Sequence, residues 1–337
     1  MLDFVFTVDY EIAGDGSGGL RDLVFEPMER LRETFAKWRA PLVVFVEALE
    51  LEKIAEWGAD PAITDVERQL REVKRDGHEI ALHLHPQWAN ARREAGRWNL
   101  DFNEYNLCTL PRGRIASVVG DAIGYLRRVL GEPSFSPVSF RAGNWLFQPT
   151  RVAASVLAEH GIRVDSSVFK GGLQRQYGLD YRPALRNGRY WRFEDDVNRP
   201  TADGAVIELP IHAEMVAPWR MATRRRITAG AGIRRARKPW TRLRDLARVR
   251  YPLKLDFCRM ASEEMIGMAK RLLAEDDRNP GKYWPVVSIG HTKDPLDVEA
   301  IDRFLEFLRA RNAGVNTLAG AASRTGGRVL GVGAQTI

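Results

Sequence analysis

Three of the six histidines in this 337-residue chain, His78, His83 and His85, fall within one short run, Gly77-His78-Glu79-Ile80-Ala81-Leu82-His83-Leu84-His85. Residues two apart on a strand share a face, so the imidazoles of His83 and His85 can converge on one ion. Neutral imidazole with a carboxylate is good chemistry for Zn²⁺ and for other first-row divalent cations. A solvent-exposed His-x-His pair is the competing reading. The same spacing relates Asp9 and Glu11 in Thr7-Val8-Asp9-Tyr10-Glu11. Two carboxylates on one face repel unless they share a cation or a proton, although loop capping would also account for them. Arg141, followed by Ala142-Gly143, could orient a carboxylate through a bidentate contact or form a structural ion pair. Asp165 opens Asp165-Ser166-Ser167, which turn chemistry alone could explain. His291, in Ser288-Ile289-Gly290-His291-Thr292, stands where a general acid or base would serve. Of the other histidines, His160 precedes Gly161 and reads as a helix C-terminal cap. His78 reads as structural, and His212 stays open. Cys108 and Cys258 form neither a zinc knuckle nor a disulfide framework, so a metal would be held by histidine and carboxylate.

Nearly all these polar groups sit at the ends of short β-rich runs. Expected strands are Asp3–Asp9, Pro41–Val46, Glu79–His83, Val138–Arg141, Arg163–Asp165, Val206–Leu209, Val286–Gly290 and Gly314–Thr317. Between them lie expected helices at Glu26–Trp38, Asp65–Arg75, Arg112–Leu130, Pro149–His160, Ser262–Ala274 and Val298–Arg311, with start signals at Thr64-Asp65 and Ser262-Glu263-Glu264. Strand–helix alternation with helix-length connections implies parallel strands, and seven or eight such units favour a barrel over an open sheet. In such barrels chemistry gathers at the C-terminal strand ends. Two stretches break the rhythm, a loop at Gln87–Leu110 and an Arg-rich insertion at Ala213–Asp256. One domain over 1–320 is expected, followed by a flexible Gly-rich tail over 321–337.

The order of motifs resembles the polysaccharide deacetylases, that is, carbohydrate esterase family four or the NodB-homology hydrolases. Thr7–Glu11, Gly77–His85, Phe140–Arg141, Asp165 and His291 look like the family's successive motifs, and Gly77-His78-Glu79-Ile80 followed by His83 is the most specific piece. The resemblance spans roughly residues 2–318, with the basic insertion unmatched. It implies a distorted (β/α)7–8 barrel and a metal-dependent hydrolase that removes acetyl from an N-acetylated sugar. It also implies roles: Asp9 as the base acting on water, Arg141 as the group orienting it, His291 as the acid for the leaving amine, and Asp165 tuning His291. The metal, expected to be Zn²⁺, would be held by His83 with His85 and Glu11 or Asp9. This chain departs from the family pattern twice. Tyr10 stands where the family has its metal-binding Asp, and Gln87 where it has its second histidine. Glu11 and His85 are the expected substitutes.

Composition bounds the alternatives. With 45% hydrophobic and 28% charged residues the chain is that of an ordinary globular protein. No run of about 18 apolar residues appears, and the first residues read as a core strand rather than a cleavable leader. A cytoplasmic location is therefore expected, peripheral to the inner face of the membrane if the basic insertion contacts it. The net charge of +7 is local: Trp219–Arg250 carries 12 Lys or Arg against one acid, and the remainder is 39 basic to 43 acidic. Arg224-Arg225-Arg226 and Arg234-Arg235-Ala236-Arg237-Lys238 would attract phosphates or an anionic membrane surface. That suits a nucleotide-sugar or lipid-linked glycan as substrate. A barrel that has lost its metal and merely binds glycan or phosphate is the alternative, favoured by Tyr10 and Gln87. A nucleic-acid-binding protein would leave the clustered His and Asp without a purpose, so no specific nucleic acid is expected.

Overall fold

A computed structural model describes residues 1–221 and 248–326. The runs Arg224–Arg226 and Arg234–Lys238 lie outside the described residues, as does the tail from 327 onward.

Nine strands build one sheet: β1 (Leu2–Tyr10), β2 (Leu42–Glu47), β3 (Glu79–Leu84), β4 (Ser139–Ala142), β5 (Val164–Asp165), β6 (Trp191–Phe193), β7 (Val206–Glu208), β8 (Trp284–His291) and β9 (Gly314–Val315). Their order is β6-β7-β5-β4-β3-β2-β1-β8, with β9 also paired to β1. All pairs are parallel except β6–β7. The sheet curls, and the gap between β7 and β8 is bridged by irregular chain. Ile211 pairs with Val287, and Asp256 with Ile289. The result is a distorted α/β barrel. Each expected strand is present; β6 was not expected, and Gly314–Thr317 shortens to β9.

β1 is buried along its whole length, as a strand covered on both faces must be. Its even-numbered residues face the helices: Phe6 packs edge-on against Phe35 of α1 (Glu26–Lys37) and Phe304 of α7 (Val298–Ala310). Its odd-numbered residues, Thr7 and Asp9 among them, face the barrel interior, where both meet Arg141. α2 (Ala48–Glu56) follows β2 directly and was not anticipated. α3 (Ile63–Arg75) buries Ile63, Val66, Gln69, Leu70 and Val73, a helical stripe. It starts before Thr64-Asp65, after a turn in which Asp60 Oδ1 accepts from the Ala62 amide at 2.9 Å. α4 spans Arg112–Leu130 as expected, closed by Gly131 at φ +68°. α5 (Arg151–Glu159) and α6 (Ser262–Arg278) complete the layer, the latter four residues longer than expected.

The Gln87–Leu110 stretch is not a plain loop: it holds single helical turns and a hairpin, Arg92–Glu94 with Arg97–Asn99. The Ala213–Asp256 insertion begins and ends in a second hairpin, Ala213–Val216 with Tyr251–Lys254. The expected tail starts inside α8 (Leu318–Arg324), whose Arg324 pairs with Asp3 at 3.0 Å. No helix among the described residues is long and apolar enough to cross a membrane.

Candidate functional site

The parallel register aligns the strand ends into a row. Asp9 of β1 lies beside His291 of β8; Glu47 of β2 lies beside His83 of β3, which lies beside Arg141 of β4. Because partners in a parallel ladder share a face, all five side chains belong to the barrel mouth.

His83 and His85 converge as their spacing requires. Glu11 Oε2 stands 3.5 Å from His83 Nε2 and 3.0 Å from His85 Nε2. His83 Nδ1 lies 2.9 Å from the Arg141 carbonyl, to which an Nδ1–H donates, and this leaves Nε2 free as a ligand. At His85 Nδ1 two amides meet, Gln87 Nε2 and Asn144 Nδ2, each at 3.2 Å. Gln87 Oε1 is buried without a hydrogen-bond partner among the described residues. Turning that amide over would let Oε1 accept from Nδ1–H and release Nε2 of His85 for a cation. Gln87 thus supports His85. The turn after Arg141 presses against His85 so closely that a Cβ on Gly143 would stand 2.8 Å from the imidazole. Asn144 and Trp145 then adopt left-handed backbone, φ +55° and +60°, strain that is held where it aims two side chains at the mouth.

Around the histidines lie more acidic side chains than the spacing of motifs alone indicates. Glu47 and Glu50 are both buried, and the ligand atoms of Glu11, Glu47, His83 and His85 all lie within 4.8 Å of one another. Burial, reinforced by the neighbouring carboxylates, pushes both Glu47 and Glu50 well above the usual range. Glu11 is held well below it: burial opposes ionisation, but Lys293 at 2.6 Å from Oε1 and the two imidazoles outweigh it. His83 is raised despite its burial, because Asp9 and Glu11 flank it. A proton caught among carboxylates is what a divalent cation would replace.

Asp9 stands next to this cluster. Arg141 Nη1 contacts its Oδ1 at 2.5 Å, and His291 Nε2 lies 3.4 Å from Oδ2. Burial works to raise the Asp9 carboxyl, but Arg141, His83 and His291 together bring it below its ordinary value. Arg141 also donates to Thr7 Oγ1 (2.8 Å) and the Ser166 carbonyl (2.9 Å).

Asp165, expected to tune His291, is placed apart from it. Asp165 pairs in register with Phe140, not Arg141, so it points to the opposite face of the sheet. There its Oδ1 accepts from Ser167 Oγ at 2.6 Å, and Glu208 lies beside it. The carboxylate against His291 Nδ1 is Asp294 Oδ2, at 3.1 Å, and Asp256 completes that group. Asp294 is anchored in turn by Arg259, with both contacts at 2.7 Å.

The other histidines fall into place. His78 Nδ1 accepts from the Leu42 amide at 3.0 Å, a structural role. The His160 amide bonds the last carbonyls of α5. His212 is pushed down to about 4 by burial, and its backbone joins β8 to the insertion hairpin. Of the aromatic residues, Trp88 is buried against Trp98, whereas Trp145 faces His291 with its ring centre at 6.4 Å. Lys254 Nζ sits 3.3 Å from the Trp145 ring centre. Tyr105 lies within hydrogen-bonding range of Asn144 and against the ring of Tyr177.

No protein-family model matches the sequence, and no curated protein does. Solved structures do. A protein from Mycobacterium smegmatis described as a polysaccharide deacetylase is 16% identical, with a TM-score of 0.54 over 100% of this chain and 94% of that one. A second, from Pseudomonas aeruginosa PAO1, is 13% identical, with a TM-score of 0.51 over 96% and 90%. A 4-alpha-glucanotransferase from Thermococcus litoralis is 14% identical, with a TM-score of 0.53 over 96% of this chain but 40% of its own. One architecture therefore carries different chemistries, and the site rather than the fold determines function. The chain has the fold of the polysaccharide deacetylases, a distorted (β/α) barrel with its polar residues gathered at one rim.

Proposed function

We propose that this protein is a divalent-metal-dependent hydrolase that removes the acetyl group from an N-acetylated sugar. The observation that carries the reading is the position of Glu11 Oε2 between His83 Nε2 and His85 Nε2, beside an Asp9–His291 pair. Two imidazoles and a carboxylate suit a catalytic first-row cation, Zn²⁺ among them. Held there, the cation would polarise an acyl carbonyl and acidify a water.

The chain's own groups do the rest. Arg141 keeps Asp9 ionised and fixes its direction, so Asp9 Oδ2 is the atom that takes a proton from water. His291, steadied at Nδ1 by Asp294, gives a proton from Nε2 to the leaving nitrogen as the amide C–N bond breaks. The products are acetate and an amine. Trp145, Tyr105 and Tyr177 would offer ring faces to a sugar. Two of the structural relatives are described as polysaccharide deacetylases, which agrees with this substrate class. A phosphate-bearing substrate, nucleotide- or lipid-linked, would draw on the basic charge between Trp219 and Arg250.

The test is metal content by mass spectrometry on wild type and His83→Ala/His85→Ala, purified without chelator or polyhistidine tag. The reading expects one ion per chain in the wild type, its loss in the double variant, and metal-dependent acetate release from N-acetyl sugar precursors. No ion after reconstitution with Zn²⁺, Co²⁺, Ni²⁺ and Mn²⁺ would overturn it.

A further inference from the structure

The three-residue set of Glu11, His83 and His85 leaves one buried group unexplained. Glu47 ends β2 directly beside His83 in the ladder, and its side chain is wholly buried. Its Oε2 accepts from the backbone amide of His85. Its Oε1 has no hydrogen-bond partner among the described residues. A buried polar atom left without a partner is costly, so an orphan in a site of this kind calls for an occupant. Neighbouring cations do not supply one. Lys293 bonds Glu11 Oε1, and Arg141 bonds Asp9. Glu50 presents no such orphan, since its Oε1 accepts from the Ile12 amide at 2.7 Å.

We infer that Glu47 is a fourth protein ligand to the metal, which is held by two carboxylates and two imidazoles and works with five or six ligands rather than four. The inference rests on the proposed metal site and adds to it. One ligand atom from each of Glu11, Glu47, His83 and His85 lies within 4.8 Å of the other three, the spread expected around a single ion. Four protein ligands on a tetrahedral ion would close the site, as in structural zinc centres. A catalytic ion here must therefore expand its coordination to admit water and substrate, which Co²⁺, Mn²⁺ and Ni²⁺ do readily and Zn²⁺ does to five. The two carboxylates also balance the ion's charge in a buried site. The His85 amide contact ties the fourth ligand to the third, so β2 and β3 hold the ion jointly.

Glu47→Gln separates this from a structural role. The amide is a near-isosteric copy of a protonated carboxyl and keeps an acceptor for His85 N–H, but its nitrogen cannot ligate. Co²⁺ binding to the full-length apoprotein is measured by competition with a chromophoric chelator, together with the visible d–d spectrum of the Co²⁺ form. As a ligand, Glu47 should show a loss of Co²⁺ affinity beyond the roughly 10- to 100-fold caused by losing an outer-shell partner. The spectrum should also gain intensity as the coordination number falls. A Glu47→Gln protein with wild-type affinity and spectrum overturns the assignment while leaving the three-ligand site intact. A wild-type protein that binds no Co²⁺ overturns both. Should Glu47→Gln fail to fold, Glu47→Asp keeps the charge and withdraws it by one methylene, and an unchanged Co²⁺ spectrum there also overturns the assignment.

Discussion

The Tyr10 hydroxyl donates to Gln69 Oε1 at 2.6 Å, on the helix side of β1, back to back with the carboxylates of Asp9 and Glu11. Strand parity dictates this: Asp9 and Glu11 share the inner face, and the residue between them must turn outward to α3. An aspartate at position 10 would therefore meet Gln69 and, through it, Glu29, which already accepts from Gln69 Nε2 at 2.6 Å. Tyr10→Asp is expected to bind no more metal than wild type. It should lose about 3–5 kcal/mol of stability, from a lost aromatic side chain and a buried unpaired charge. Denaturant midpoints and metal content on the same preparations check this. Tighter metal binding by the variant would show that the strand end can turn over.

Each guanidinium nitrogen of Arg141 donates inside the barrel, to Asp9, Thr7 or Ser166, and the group lies 4.1 Å from the centre of the Phe45 ring. Removing it leaves the buried Asp9 without its guanidinium partner. Arg141→Met should cost about 3–5 kcal/mol, and Asp9→Asn/Arg141→Met should recover part of that loss. Asp9→Asn alone should retain its metal and lose about 10²- to 10⁴-fold in kcat. Additive costs in the double variant would mean that the pair is not coupled.

What the sequence made legible was whatever depends on spacing. The period-two pattern of Asp9, Glu11, His83 and His85 placed four side chains on one face, and the geometry brings all four to one rim. The alternation of strands and helices likewise implied the barrel. Asp165 is a case where spacing does not decide. Which face a two-residue strand presents depends on its register against β4, and no local pattern in Asp165-Ser166-Ser167 states that register. Ser166, one residue on, is the member that meets Arg141. Glu47 carries the same signal, as the polar residue ending a strand of apolar ones. That signal is obscured because helix α2 begins at the next residue. Asp256 and Arg259 were beyond reach, because they come to His291 through irregular chain after the insertion.

Lys254 lies against Trp145 and Phe169, with its Nζ 3.3 and 4.9 Å from the two ring centres. Burial pushes its ammonium down to about 7, against the pull of Asp256. A lowered value means that the neutral, nucleophilic amine predominates above that pH. Competitive acylation followed by mass spectrometry should find Lys254 half-reactive near pH 7. Lys170, lowered by burial to about 8, should follow at higher pH. Trp145→Ala opens the cage to water and should move Lys254 towards the ordinary value. Labelling of Lys254 only above pH 10, in wild type, would show that the ammonium stays solvated.

Asp294 couples His291 to Arg259, and the sign of its titration makes that coupling measurable. Burial alone would raise its carboxyl, but His291 at 3.1 Å and the two Arg259 contacts outweigh it and hold it below the ordinary range. In the unfolded chain the same group titrates near about 3.9. Between those values the unfolded state binds more protons than the folded one. The contribution is therefore complete above about pH 4 and is lost as pH falls through the folded value. Asp294→Asn removes the term: its stability should be lower than wild type at pH 7, and the gap should narrow as pH falls from 4 towards 2.5. Urea midpoints at several pH values give the difference directly, with the other carboxylates cancelling between the two proteins. Catalysis gives a second readout, since the variant frees the His291 ring without touching the metal ligands, so kcat should fall while metal content holds. A stability gap that stays constant down to the acid limb would mean that Asp294 contributes through packing alone, and His291 would then need another group to orient it.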